Sequence, residues 1–243
     1  AVKFFASSTE DYYDNGMRDY PVAVRAGYAV ILGILYAFCK VMWRCDFDKI
    51  ELIADRRDDT GTVIISNHTS MAEVVAIVTY LWRRGRLVRP IFKSEFNKTG
   101  IVRWFFARVG GIPVDRGTAD MKSLRRAQHA LQRGEDILIY PEGTRNKDNV
   151  DMLPFKGGFA AIAIKTRTPI IPIVQSNAPR LFKKAHVFYG APIEFPEYYG
   201  KKLTEEEIAD CEKRIRDIMV KTRTDFLQAE EAKKAAKRAK KSR

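Results

Sequence analysis

Cysteine is scarce in this chain: Cys39, Cys45 and Cys211 are the only three in 243 residues. They form no C-x-x-C pair and cannot pair off evenly, which speaks against a secreted disulfide framework and for a reducing compartment. No G-x-S-x-G elbow is present, so a serine nucleophile of that type is excluded. The first twenty residues lack the order of basic start, apolar run and small-residue cleavage site that marks a signal peptide. No internal repeat is present. Acidic residues are the minority charge, 30 against 43 Lys and Arg, and the resulting +13 implies attraction to nucleic acid, an anionic membrane surface or phosphorylated substrates.

Apolar residues make up 46% of the chain and charged residues 30%, which fits neither wholesale disorder nor a polytopic membrane protein. The expectation is one globular domain with appendages: an amino-terminal segment with a membrane-associating helix (1–48), a catalytic domain (49–228) and a basic tail (229–243). The run VAVRAGYAVILGILYAFCKVMWR, Val22 to Arg44, reads as one long apolar helix. Its uninterrupted part, Ala26 to Cys39, is shorter than the ~20 residues of a straight span. Arg25 and Lys40 can lengthen it by snorkelling, and Tyr28, Tyr36 and Trp43 suit a membrane interface. The helix is expected to dip into, or pass shallowly through, the cytoplasmic leaflet; the bland alternative is a buried core helix.

From Lys49 onward short β-branched runs alternate with helical ones, which predicts an α/β fold with a mostly parallel sheet flanked by helices. The predicted strands are 62–66, 88–92, 136–140, 170–174 and 185–190. A helix is expected over Thr118 to Arg133, stopped by Gly134. Another should open at Thr204 with Glu207 in a capping box and present Ile208, Cys211, Ile215, Ile218 or Met219, and Phe226 on one face. The tail EEAKKAAKRAKKSR is helix-prone without an apolar face, and so is solvated or bound to an acidic surface.

Chemistry concentrates at SNHTSMAEVV, Ser66 to Val75, where a buried strand gives way to a helix. Ser70 and Glu73 have the spacing of a capping box, the ordinary reading. Five residues turn a continuous helix through ~140°, so His68 and Glu73 meet only if His68 ends the loop and Glu73 lies in the first helical turn. A carboxylate there accepts one imidazole N–H, fixes the tautomer and leaves the other nitrogen as a general base. With no serine elbow, the nucleophile is expected to be a hydroxyl of the substrate. His129 lies off the apolar face of its helix and His186 in a strand with no nearby carboxylate, so both read as bland.

A second cluster, YPEGTRN (140–146), follows a predicted strand and offers Glu142, Gly143, Thr144 and Arg145 at a strand's carboxyl end, where open α/β sheets place their sites. Gly143 permits a tight turn, Thr144 adds a hydroxyl and Arg145 can grip phosphate with a fork of donors. GGIPVDRG (110–117) contributes Arg116, IFKSEF contributes Lys93, and PFKGG contributes Lys156. Several loop cations together suggest a phosphate-bearing substrate.

These residues resemble the glycerolipid acyltransferases of the 1-acylglycerol-3-phosphate acyltransferase type. NHTSMAE looks like the family's N-H-x-x-x-x-D block, GGIPVDR its second block, YPEGTRN its F-P-E-G-T-R-S block and TPIIPIV its last, in that order between Thr62 and Val174. The resemblance implies that His68 is the general base toward a glycerol hydroxyl that attacks a thioester, and that Glu73 orients it. It implies that Arg116, Glu142, Gly143 and Arg145, with Thr144 beside them, bind and place the acceptor's phosphate, and that Pro172 shapes the acyl or donor site. It implies no metal and no prosthetic group. The implied partners are lysophosphatidate and acyl-CoA or acyl carrier protein; the positive charge adds an anionic membrane surface, and the cysteine usage places the catalytic domain on the cytoplasmic face.

This chain carries Glu73 where the family usually has Asp, one methylene or about 1.5 Å more reach. Alternatives are a glycerol 3-phosphate or other lysolipid acyltransferase, and a catalytically weak protein that binds anionic lipid. Nucleic-acid binding would explain the charge and the tail but not the apolar helix or the four blocks, and no nucleic-acid motif is recognisable; no nucleic-acid partner is expected.

Overall fold

The β-branched runs assemble into one seven-stranded sheet in the computed structural model, which describes residues 8–54, 61–115, 120–146, 152–156, 158–176 and 178–241. The strands are β1 (Cys45–Asp48), β2 (Val63–Ser66), β3 (Val88–Lys93), β4 (Ile112–Val114), β5 (Asp136–Ile139), β6 (Ile170–Gln175) and β7 (Ala185–Tyr189). Their order is β1-β7-β6-β2-β5-β3-β4. Every neighbouring pair is parallel except β6 with β7, so the sheet is mostly parallel as expected. The five predicted strands are all present; β1 and β4, of four and three residues, are too short to carry a periodic signal.

Helices cover both faces: α1 (Thr9–Asp14), α2 (Val22–Phe38), α3 (Glu51–Ala54), α4 (Met71–Arg83), α5 (Gly100–Arg108), α6 (Met121–Gln132), α7 (Phe159–Thr166) and α8 (Glu205–Lys241). Side chains alternate across the pleat, so Ile64, Leu138, Ile171 and Ile173 join one core with α1, α2, α4 and α5. Val63, Ile65, Ile137 and Val174 join the other with α6, α7 and α8. Both faces of the central strands are dry, as a parallel sheet requires.

The stretch ahead of the apolar helix, in its described residues from Ser8 to Tyr20, contributes to the core. Tyr12, Tyr13, Met17 and Tyr20 are buried around the fully buried guanidinium of Arg89 on β3, which donates to the carbonyls of Gly110 (2.8 Å), Tyr12 (2.9 Å), Asn15 (3.1 Å) and Tyr13 (3.3 Å). It also pairs with buried Glu135 at 3.3 Å, whose carboxylate accepts the Met17 N–H. Single-residue signals in the sequence do not reveal such a cradle, because its acceptors are backbone carbonyls.

Helix α2 continues through a π-helical turn, Cys39–Trp43, giving one apolar stretch of 22 residues from Val22 to Trp43 that is long and apolar enough to cross a membrane. One stripe, Tyr28, Leu32 and Cys39, is buried against the core. The opposite stripe, Val30, Ile34 and Val41, is 62–65% exposed, so α2 is not a buried core helix. The predicted helix over 118–133 is α6, with its described start at Met121 and with Asp120 accepting the Ser123 N–H at 3.0 Å; Thr118 lies outside the described residues. The Thr204/Glu207 capping box forms, with Glu207 N–H to Thr204 Oγ1 at 3.2 Å and Thr204 N–H to Glu207 Oε2 at 2.8 Å. On α8 the inward position is Met219, while Ile218 is exposed.

Candidate active site

The central strands β2 and β5 are neighbours, yet the chain leaves β2 for α4 on one face and β5 for α7 on the other. That divergence opens a crevice at their carboxyl ends, the place where open α/β sheets hold ligands. Ser66 ends β2, Asn67 follows, and His68 stands in the loop before α4. Asn67 is buried and pairs with β6 through both amide atoms: Oδ1 accepts the Gln175 N–H at 2.8 Å and Nδ2 donates to the Gln175 carbonyl at 3.3 Å. In effect the side chain extends the sheet by one rung and fixes the loop at the residue before the histidine.

The His68 Nδ1 lies 2.6 Å from Glu73 Oε1. The same oxygen accepts the Thr69 N–H at 2.8 Å, and Oε2 accepts the Thr69 hydroxyl at 2.6 Å. Glu73 is 0% exposed and the His68 side chain 14% exposed, so the carboxylate is sealed while the imidazole reaches the crevice. The expected capping box is therefore not formed. Ser70 does cap α4, but through the Ala72 N–H at 3.1 Å, and Glu73 turns to His68 and Thr69 instead of to Ser70. A buried carboxylate is stabilised more by three donors, one of them an imidazole, than by one backbone N–H.

The loop after β5 packs on the histidine. The Tyr140 ring lies 4.2 Å from the imidazole, tilted by 33°. Burial pushes the Tyr140 phenol well above its ordinary value, so it stays neutral. Gly143 closes the turn at φ 69°, a left-handed conformation open to glycine at little cost, and donates to the Tyr140 carbonyl at 3.0 Å. Asn146 N–H donates to the His68 carbonyl at 2.6 Å.

Glu142 is buried. Its Oε1 accepts the His68 N–H at 2.8 Å and its Oε2 the Leu153 N–H at 3.1 Å. Burial pushes the carboxyl up from its ordinary range, and those two N–H groups pull it part of the way back. Glu142 thus braces the two loops and lines neither cavity of the crevice.

Two cavities meet at this loop. One, of about 270 Å³, is lined by His68, Met71, Lys93, Phe96, Phe106 and Arg145, with Thr144 at its edge. The other, of about 480 Å³, is lined largely by apolar groups including Leu124, Ala127, Phe159 and Ile162, with Lys156 and Asp115 at its rim. Ile91, Ile139, Tyr140 and Gly143 border both. An imidazole, an apolar recess and three cations within one cleft can remove a proton from a hydroxyl while holding an apolar chain and an anionic group.

A family model described as Acyltransferase matches residues 49–176, just over half the chain and all of the crevice. The chain belongs to the acyltransferase family. Among curated members it is 32% identical to the 1-acyl-sn-glycerol-3-phosphate acyltransferase alpha of Homo sapiens, over 65% of this chain and 57% of that protein. It is 30% identical to a chloroplastic 1-acyl-sn-glycerol-3-phosphate acyltransferase of Brassica napus, over 51% of this chain and 35% of the relative. The chain thus spans about a third to just over half of these two relatives. The crystal structure of the 1-acyl-sn-glycerophosphate acyltransferase PlsC from Thermotoga maritima shares the fold, with a TM-score of 0.58 at 22% identity over 82% of this chain and 81% of that one.

Within this acyltransferase fold the crevice brings together His68, Glu73, Gly143, Thr144 and Arg145, and Lys93 joins them from β3. Arg116 lies outside the described residues. Pro172 is buried within β6, where the ladder to β7 begins only at Ile173, and it lines neither cavity. His186 does have a carboxylate nearby, contrary to expectation: Asp46 stands opposite it in the β1–β7 register, with Nδ1 3.7 Å from Oδ2. It lies on β7, beside the edge strand β1, and lines neither cavity of the crevice. Sequence reasoning missed Thr69, Asn67 and Gln175. The first is adjacent to the histidine and could have been suspected, while the Asn67–Gln175 pair joins positions 108 residues apart and has no local signal.

Proposed function

We propose that this protein transfers a fatty acyl group from a thioester, acyl-CoA or acyl carrier protein, to the free hydroxyl of 1-acylglycerol 3-phosphate, forming phosphatidate at a membrane. The observation that carries the reading is the sealed His68–Glu73 pair at 2.6 Å. Glu73 accepts a hydrogen bond from Nδ1–H, which leaves the Nε2 lone pair as the base. Nε2 takes the acceptor's hydroxyl proton as the oxygen attacks the thioester carbonyl. The tetrahedral intermediate collapses with loss of the thiolate, which takes the proton back from the imidazolium. The buried Glu73 carboxylate stabilises that imidazolium between the two steps. The apolar cavities suit acyl chains, and Lys93 and Arg145 suit the acceptor's phosphate. Arg116 is proposed as a further phosphate contact, and no metal or prosthetic group has a part in these steps.

The exposed apolar stripe of α2 and the excess positive charge support seating on an anionic membrane surface. The unpaired Cys39, Cys45 and Cys211 suit the cytoplasmic side. The test is acyl transfer to lysophosphatidate together with vesicle binding. His68→Ala should lower turnover by about 10²- to 10⁴-fold with binding intact. Unchanged turnover removes His68 as the base; absence of turnover in the parent protein leaves the reading of an anionic-lipid-binding protein.

A further inference from the structure

Helix α5 is built inside out for a helix facing water. Its outward positions include Ile101, Trp104 and Phe105, which are 82%, 53% and 41% exposed, with the one exposed cation Arg103 among them, while its inward face rests on the core through buried Ala107. A soluble surface helix carries its polar residues outside. The apolar surface does not end with the helix. Phe105 meets Phe106 edge-on at 5.9 Å and Phe106 stacks on Phe92 at 4.5 Å. Phe92, Phe106, exposed Phe96 and exposed Met71 then line the cavity that holds His68. An apolar track therefore runs from the outside of α5 to the general base.

We infer that α5 and the turn before it (94–108) are a second membrane-seating surface, apart from α2, and that a lipid acceptor enters the site laterally along it. The charges around the track select an anionic leaflet. Between Lys93 and Arg108 there are four cations, Lys93, Lys98, Arg103 and Arg108, against one acid, Glu95, and α5 itself contains no acid. The Arg108 guanidinium lies 4.3 Å from the Trp104 ring centre, the pairing of amphipathic ring and cation found where lipid chains give way to headgroups. Helix α2 belongs to the same layer on the same face of the sheet and also presents an apolar stripe outward. Two outward-facing apolar helices in one layer match a broad bilayer surface better than a bounded protein partner.

The seating is independent of the acyl-transfer reading; the lateral entry rests on it, and the experiment separates the two. In the full chain with Trp43→Phe and Trp82→Phe, Trp104 is the sole tryptophan and is excited selectively over the tyrosines. Vesicles of phosphatidylcholine and phosphatidylglycerol with brominated chains should quench it and shield it from acrylamide. In the same background Ile101→Glu with Phe105→Glu should weaken vesicle binding ~10-fold or more without moving the unfolding midpoint, since both side chains are exposed. Protein that binds vesicles while Trp104 stays open to acrylamide and unquenched overturns the seating and leaves the face to a protein partner. For entry, the double variant should lose rate on vesicle-embedded lysophosphatidate and keep it on a short-chain acceptor dispersed as monomers. Equal loss on both, with seating intact in the parent, overturns lateral entry alone.

Discussion

Shortening Glu73 by one methylene tests whether this crevice is built for glutamate. Glu73 uses both oxygens on three donors, at 2.6 Å to His68 Nδ1, 2.8 Å to the Thr69 N–H and 2.6 Å to the Thr69 hydroxyl. Retraction by about 1.5 Å would stretch the 2.6 Å contact to His68 to ~4.1 Å, beyond the ~3.2 Å limit of a hydrogen bond. Each hydrogen bond to a charged group is worth about 1.5–3 kcal/mol, and no water replaces one lost at a carboxylate that is 0% exposed. Partial closure of the backbone recovers some of this, so Glu73→Asp should destabilise the protein by about 2–4 kcal/mol. Loss of the imidazole's anchor should lower kcat by about a hundredfold, the usual effect of a misplacement near 1 Å. Urea unfolding and initial rates with lysophosphatidate measure the two effects. An aspartate variant with parental midpoint and kcat would refute the view that the loop is fitted to the longer side chain.

Arg89→Met should cost about 3–5 kcal/mol in urea unfolding, because it leaves buried Glu135 without its cation and strips the donors from four carbonyls; a loss below about 1 kcal/mol would contradict the cradle. For Glu10, burial pushes the carboxyl up, but hydrogen bonds and charge from Lys122 and Arg126 outweigh it and hold the group below its ordinary 4.5. A lowered folded pKa gives stability that is present above 4.5 and is lost as pH falls through the folded value. Glu10→Gln should therefore lower the melting temperature at neutral pH, with the gap closing in acid; a gap independent of pH rejects the ion pairs with α6. The Tyr140 hydroxyl is buried with no hydrogen-bond partner among the described residues, while its ring packs on His68. Calorimetry and kinetics of Tyr140→Phe should show unchanged kcat and stability equal or higher by about 1 kcal/mol, whereas Tyr140→Leu should lose rate; a large loss in the phenylalanine variant would assign the hydroxyl a role.

The fold was legible where the physics is local. Alternating β-branched runs marked five of seven strands, and the hydroxyl and carboxylate at Thr204 and Glu207 marked the start of α8. The His68–Glu73 pair was also legible, since a loop histidine and a carboxylate in the first helical turn are brought together by chain geometry alone. Where a carboxylate had a choice of donors, local spacing failed: Glu73 abandons the capping box, and Glu142 braces two backbone N–H groups. Both choices depend on which donors are dry, and burial is not a property of five consecutive residues.

The sequence by itself determined the class of fold, the acyltransferase blocks in order, the apolar stretch from Val22 and the pairing of His68 with Glu73, because each is written in residue type and spacing along the chain. Tertiary structure decided the rest. Packing put Arg89 among carbonyls of the first twenty residues, joined Asn67 to Gln175 across the sheet and set Tyr140 against the imidazole. It also turned α5 so that tryptophan and isoleucine face outward beside the crevice. These depend on long-range contacts, which form only when segments remote in sequence exclude water together.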